Sequence, residues 1–152
     1  MKISGKDPST LSTEHLLVLP RGEENLDIRA KGLKDMEEFE VLCPAPNAPV
    51  KLVKGGKTVP DMENVGYQAT LAEWHQRRLA WMVIKSLQDF EWDTVNLDDP
   101  SSWKNWEKDL KDAGFTQIEC NRVLQLVLEA NTLSEALLTE ARLAFLRGQA
   151  AA

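Results

Sequence analysis

Residues 65–90 read VGYQATLAEWHQRRLAWMVIKSLQDF, and this stretch decides the fold. It contains no proline, and its one glycine, Gly66, stands at the entrance. Apolar residues recur at Tyr67, Leu71, Trp74, Trp81, Ile84 and Leu87, with Leu79, Met82 and Val83 widening the stripe. The spacing predicts an amphipathic helix from about Tyr67 to Asp89, and no strand pattern accounts for it. At ~1.5 Å per residue it is roughly 35 Å long, as long as a small domain is wide. Trp74 and Trp81, seven residues apart on one face, give it a large area to bury. The helix reads as a beam on which the other elements pack, with Arg77 and Arg78 at its solvated edge.

Downstream of the beam, Glu91–Leu97 is a connector of extended character. Asp98-Asp99-Pro100-Ser101-Ser102 then supplies the acids, serines and proline that suit a first helical turn. A helix is expected from about Ser101 to Ala113, with Trp103, Trp106 and Leu110 on one face and Gly114 as its stop. Thr116-Gln117-Ile118-Glu119 is a capping box. It opens a helix whose face carries Cys120, Val123, Leu124, Val127 and Leu128 and which ends near Asn131. Thr132-Leu133-Ser134-Glu135 repeats the start signal. The final helix carries Leu133, Leu137, Leu138, Ala141, Ala144, Phe145 and Leu146 and stops at Gly148, before a frayed tail. Helices joined by one or two residues turn sharply, so the last three are expected to form a compact antiparallel set.

Upstream, residues 1–13 are rich in Ser, Thr, Lys and Gly and read as a flexible arm. His15–Leu19 is an apolar run stopped by Pro20; residues 20–25 form a polar turn; and Leu26, Ile28 and Ala30 alternate with Asp27 and Arg29. These predict a β-hairpin. Asp35 followed by Glu38 is a helix-start signature, and Leu33, Met36, Phe39 and Leu42 keep helical spacing up to Pro44. A short helix over Met36–Leu42 is the reading; a strand is the alternative, since Phe39, Val41 and Cys43 also alternate. Residues 44–64 hold Pro44, Pro46, Pro49 and Pro60 with Gly55-Gly56. The first part suits an extended, polyproline-like run, and residues 50–59 suit a small hairpin on the Gly-Gly turn.

The fold class that follows is α+β: a small N-terminal β-hairpin region with a short helix, then a C-terminal bundle of about four helices. The arm covers 1–13. One domain covers 14–149, divided into a β-rich part with the proline-rich loop (14–64) and a helical part (65–149). A chain of 152 residues is long enough for a single core.

Composition narrows the function. The apolar fraction of 43% and charged fraction of 28% are ordinary for a soluble protein. The net charge of −6 and the lack of clustered Lys and Arg beyond Gln76-Arg77-Arg78 disfavour a nucleic-acid partner. The N-terminus carries no secretion-signal pattern, and no apolar run approaches the ~18 residues of a membrane span. Cys43 and Cys120 read as two reduced, buried thiols of a cytoplasmic protein, with one disulfide as the alternative.

No catalytic constellation stands out. Gly56-Lys57-Thr58 resembles the end of a phosphate loop, but Lys51 occupies the place of the required glycine and Pro60 blocks the required helix. His15 and His75 fall in no metal-ligand spacing, and Glu73 and His75, two apart on a helix, point to different sides. Glu107, Asp109 and Asp112 are expected on solvated helix faces. The reading is a protein that is not an enzyme and needs no cofactor or metal.

Five tryptophans are dense for this length. Trp74 and Trp81 are expected to meet Trp103 and Trp106 in the core. Trp92 lies in the connector rather than on a periodic face, and is the best candidate for an exposed aromatic that captures a partner.

The order of motifs resembles a known family. LPRG in the hairpin leads to EFEVLCPAPNAPV, then RRLAWMVIKSL, then WDTVNLDDPSSW, AGFTQIE and EANTLSEALLTEARLAFLRGQ, covering roughly residues 15–149. This resembles the small tail assembly chaperones of long-tailed, siphovirus-type bacteriophages. The resemblance implies a non-catalytic accessory protein of the host cytoplasm. It binds the helical tape-measure protein, keeps it soluble and helps recruit tail-tube subunits, with self-association as a further contact. The alternative is a structural subunit retained in the virion, in the tail or the head–tail connector. The partner-binding residues expected are Trp92 in the connector and Pro46, Pro49, Val50 and Leu52 in the loop before the beam.

Overall fold

Alternation across residues 14–31 becomes a two-stranded hairpin. In the computed structural model, which describes residues 1–11, 14–87, 89–132 and 135–150, β1 (Glu14–Arg21) pairs antiparallel with β2 (Glu24–Lys31). Directly opposed residues share a face, so His15↔Ala30, Leu17↔Ile28 and Leu19↔Leu26 turn one way. Leu19, Ile28 and Ala30 are buried on that side, while Leu16 and Val18 stay exposed on the other. The turn has only two residues, Gly22 and Glu23, and Gly22 supplies the positive φ of +63° that such a turn demands. Pro20 does not stop the strand as its chemistry led us to expect: β1 runs through it to Arg21. Pro20 opposes Asn25, one step from the pair that flanks the turn. Hydrogen-bonded and non-bonded pairs alternate, so the missing N–H falls where no ladder bond is made.

The alternatives for residues 36–42 resolve to helix: α1 spans Glu37–Leu42. Asp35 accepts the Glu37 N–H at 3.1 Å, but Glu38 closes no capping box; its carboxylate lies 3.4 Å from Lys85 Nζ instead. α1 buries one side chain, Phe39. A second hairpin follows, β3 (Val50–Leu52) with β4 (Thr58–Pro60), turning where Gly55 and Gly56 both hold positive φ.

The beam is α2, Val65–Ser86, capped by Asn64, whose Oδ1 accepts the Tyr67 N–H at 2.9 Å. Its fully buried residues, Ala80, Trp81, Val83, Ile84 and Ser86, all lie in its last two turns. The N-terminal half is covered only in part, at Tyr67, Leu71 and Trp74. The expected helix over Ser101–Ala113 is two pieces: a tight 3-10 helix (Pro100–Asn105) and α3 (Trp106–Asp112). The tightening has local causes. Ser102 Oγ bonds Asn96 N–H and lies on the Asn96 and Asp99 carbonyls, and Trp103 Nε1 donates to the Asn96 carbonyl at 3.1 Å. Gly114, at φ +98°, ends the segment as expected.

Thr116 and Glu119 make the full reciprocal capping box, and α4 (Gln117–Asn131) buries Cys120, Val123, Leu126 and Val127. α4 lies across both strands of the first hairpin and against α2. Two contacts lock that arrangement. Arg21 at the hairpin tip bonds Glu119 at 2.5 Å. At the other end, Asn131 Oδ1 accepts the Leu33 N–H at 2.8 Å while its Nδ2 donates to Ser86 Oγ at 2.9 Å. One side chain thus joins the exit of β2, the end of α2 and the end of α4. Gly32 allows it: a Cβ there would lie 2.2 Å from the Ala130 carbonyl oxygen.

Phe39 is the aromatic hub of the core, 5.6 Å from Trp74, 6.5 Å from Trp81 and 6.0 Å from Trp103 between ring centroids. Trp81 and Trp103 meet at 4.9 Å, as the shared-face reading expected, and Trp106 is buried beside them in the same core. The architecture is α+β, with two small antiparallel hairpins towards the N-terminus and about four helices in the C-terminal part. α5 (Glu135–Ala150) departs from the expected compact antiparallel set: none of its described residues is buried. The start signal read over 132–135, and Leu133 on the helix face, involve Leu133 and Ser134, which lie outside the described residues, as do Ser12 and Thr13 of the arm. The arm's described part carries an Ile3↔Lys6 bridge and a 3-10 turn at Pro8–Thr10 capped by Asp7.

Candidate partner-binding surfaces

The connector after α2 forms a cleft. Leu87 ends the helix with ψ +72°, and its carbonyl accepts the Phe90 N–H at 3.4 Å, so the chain turns back over the hairpin. Phe90 and Trp92 then stack side by side, centroids 5.2 Å apart and planes 35° apart. They form one wall of a cleft of about 420 Å³ whose other walls come from β2 and from the α3–α4 corner. Leu26, Ile28, Leu110 and Phe115 give it an apolar lining. The connector adds Asp89, Glu91 and Asp93; Asp27 and Arg29 of β2 and Asp109 of α3 also line it, the first two facing each other at 3.5 Å and Asp109 bonded to the connector.

Asp109 fixes the connector in place. Expected on a solvated helix face, it is buried instead, at 5% exposure. Its Oδ2 accepts the N–H groups of Asp93 (3.0 Å) and Thr94 (2.9 Å), and its Oδ1 the Thr94 hydroxyl (2.6 Å). Burial pushes its pKa up, but these donors outweigh burial and hold the carboxyl below its ordinary value. A signal was present in the sequence. Asp109 stands three residues after Trp106, on the apolar side of α3, whereas Glu107 and Asp112 do not.

Trp92 is half-buried rather than freely exposed, because Phe90 and the core residues around it cover one side. Its other side lines the cleft. The remaining expected residues sit elsewhere. Pro46 is half-buried and shares a shallow groove with Cys43, Pro44, Thr70 and Trp74. Trp74 Nε1 donates to the Cys43 carbonyl at 2.9 Å, anchoring the start of the proline-rich run to α2. Pro49 is exposed, and Val50 and Leu52 are 71% and 76% exposed on β3. Two apart on one strand, they share a face, opposite Pro60 and Thr58 of β4. Met62 and Val65 follow in the chain and are exposed as well. Trp92 and the β3 residues therefore mark two surfaces, one concave and acidic, one a small apolar ribbon.

Sequence reasoning missed a third surface, the uncovered apolar side of α5. Leu137, Leu138, Leu143, Phe145 and Leu146 are each 39–64% exposed. Leu138, Arg142 and Phe145 follow one another at spacings of four and three, so they share one face. Among the described residues neither Arg142 nor Arg147 makes an ion pair.

The titratable and thiol groups are placed as follows. Cys43 and Cys120 are free thiols, both buried, and burial raises the Cys120 pKa. His15 is half-buried on the inner face of β1, and exposed His75 sits edge-on to Trp74 at 5.1 Å. Among the described residues no group of three or more His, Cys, Asp or Glu side chains is placed to hold a metal ion. No described helix is long and apolar enough to cross a membrane. Comparison with protein-family models, with curated proteins and with solved structures returns no match for this chain.

Proposed function

We propose that this chain is a non-catalytic assembly chaperone of a long-tailed bacteriophage. In this reading it works in the host cytoplasm on the tape-measure protein and the tail-tube subunits, without nucleic acid or membrane as a partner. The observation that carries the reading is the placement of its exposed apolar side chains. Those on β3 and α5 lie on elements with no buried described residue of their own, while a separate aromatic core holds the remainder together. Such surfaces suit a client that presents amphipathic helix, taken up by helix-in-groove or helix-on-helix packing. The net charge of −6 favours solubility of the loaded complex.

The test is co-expression with the tape-measure protein of the same phage. The soluble yield of that protein should rise, and the two should co-purify; unchanged solubility with no co-purification would sink the reading. One observation favours a second reading, a virion subunit. The β3–β4 ribbon has only two strands, so each has a free edge that a neighbouring subunit can extend. Mass spectrometry of purified particles separates the two readings: stoichiometric presence means a structural subunit, and absence means a chaperone.

A further inference from the structure

We propose that the cleft beside Trp92 receives helix α5 of a second copy of this chain. The inference stands on the two surfaces themselves and does not depend on the chaperone reading.

The surfaces are complementary in chemistry. The cleft has an apolar lining with Phe90 and Trp92 on one wall, and the connector brings three further acids to it, Asp89, Glu91 and Asp93. On α5, Leu138 and Phe145 flank Arg142 on one face, with Glu135 a turn before Leu138, and among the described residues neither Arg142 nor Arg147 is engaged in an ion pair. Asp89, Glu91 and Asp93 are exposed, and among the described residues none of the three is in an ion pair. An arginine between two large apolar side chains suits such a site, because its stem packs on aromatic surface while its head reaches a carboxylate. The volume, about 420 Å³, lies in the range of pockets that enclose several side-chain-sized groups. Phe145 is 64% exposed on the free chain and gains most from entering it.

The contact is heterologous: each copy contributes a helix to one neighbour and a cleft to another. Repetition gives a ring or an open chain rather than a closed two-fold pair. Two exposed side chains on either side suffice to block it without touching the core.

Sedimentation velocity of the full chain over a range of concentrations tests the proposal. The wild type should move from its 17.1 kDa monomer to larger species as concentration rises, and added salt should weaken the assembly. Arg142→Ser with Phe145→Ser should leave a monomer, as should Glu91→Lys with Asp93→Lys, each with the helical content and Tm of the wild type. Mixing the two variants in equal amounts leaves one intact helix and one intact cleft, so a species of two chains should form and grow no further. Three results would overturn the proposal: a wild type that stays monomeric up to about a hundredfold range of concentration into the millimolar limit of weak association, an α5 variant that assembles like the wild type, or a mixture that remains monomeric.

Discussion

Thr94 gives both of its donors to one buried carboxylate: its N–H reaches Asp109 Oδ2 at 2.9 Å and its hydroxyl reaches Oδ1 at 2.6 Å. With the Asp93 N–H on the same oxygen, Asp109 clamps the connector that carries Trp92. Asp109→Ala strands these donors at a buried position. It should cost about 3 kcal/mol, read as a fall in Tm of roughly 6–12 °C for a chain of this size.

The same carboxylate makes stability depend on acid. Its folded pKa lies below the ordinary 3.8, so the unfolded chain takes up the proton first as pH falls. The contribution is complete above about pH 4–5 and is lost as pH drops through the folded value. Urea midpoints measured between neutral pH and about pH 3 should fall more steeply for the wild type than for Asp109→Asn, which has no proton to take up. Equal slopes would show that Asp109 is not the group responsible.

Gly32→Ala tests the close approach of β2 to α4. The Ala130 oxygen that its Cβ would strike belongs to the backbone, so a side-chain rotation cannot relieve it. The strand exit must move, and Asn131 loses its alignment with Leu33. A loss of about 1–3 kcal/mol is expected, in line with other overpacked sites. Gly22→Ala is the contrast: its Cβ would meet nothing, and only its positive φ is strained.

Phe39→Ala removes the aromatic hub and should cost about 3–5 kcal/mol, with a matching change in tryptophan fluorescence. Val41→Ala, two residues away on the same short helix and 81% exposed, should change stability by no more than about 0.5 kcal/mol. Trp81→Ala should behave like Phe39→Ala.

Val50→Asp with Leu52→Asp should leave Tm within a degree or two, about 0.5 kcal/mol, because neither side chain is buried. On the proposed chaperone function, capture of the tape-measure protein should fall. Trp92→Ala should act on both scales, costing about 1 kcal/mol from its contact with Phe90 and weakening whatever occupies the cleft. If Val50 and Leu52 proved as sensitive as Phe39, the ribbon would have to be part of a buried assembly.

The sequence made some of this legible for identifiable reasons. Capping and turn chemistry is local, so the Thr116–Glu119 box, the stop at Gly114 and the Gly55-Gly56 turn were all readable from neighbouring residues. The faces of α2 and α4 followed from periodicity in large part, but Leu79 and Leu128, read on those faces, stay exposed, and Leu126 is buried instead. Periodicity says which side of a helix is apolar, but not what covers it. That is why α5 was expected inside the helical set and Asp109 was grouped with its solvated neighbours. The burial of Asp109 depends on a connector returning to it from fifteen residues away. The strand through Pro20 depends on register, which is a property of the pair and not of either strand. The two surfaces joined in the self-association proposal were out of reach for the same reason, since a cleft exists only once three separate segments have met.

The staple between Leu33 and Asn131 spans 98 residues, and that separation sets a schedule for the growing chain. The first hairpin leaves the ribosome early, but a lone two-stranded hairpin is marginal in water. Its inner face has no cover until α4 emerges. At about 5–20 residues per second, Ile28 and Ala30 wait on the order of 5–20 s. The loss of freedom on closing so long a loop is then recovered in one step, as α4 lands on both strands and Asn131 finds its two partners. A nascent chain halted at residue 116 should remain sensitive to protease along its whole length, whereas one released after residue 132 should already be resistant. Folding of this protein is therefore governed by the timing of its fourth helix, and the long beam, made well before it, must stand by for it.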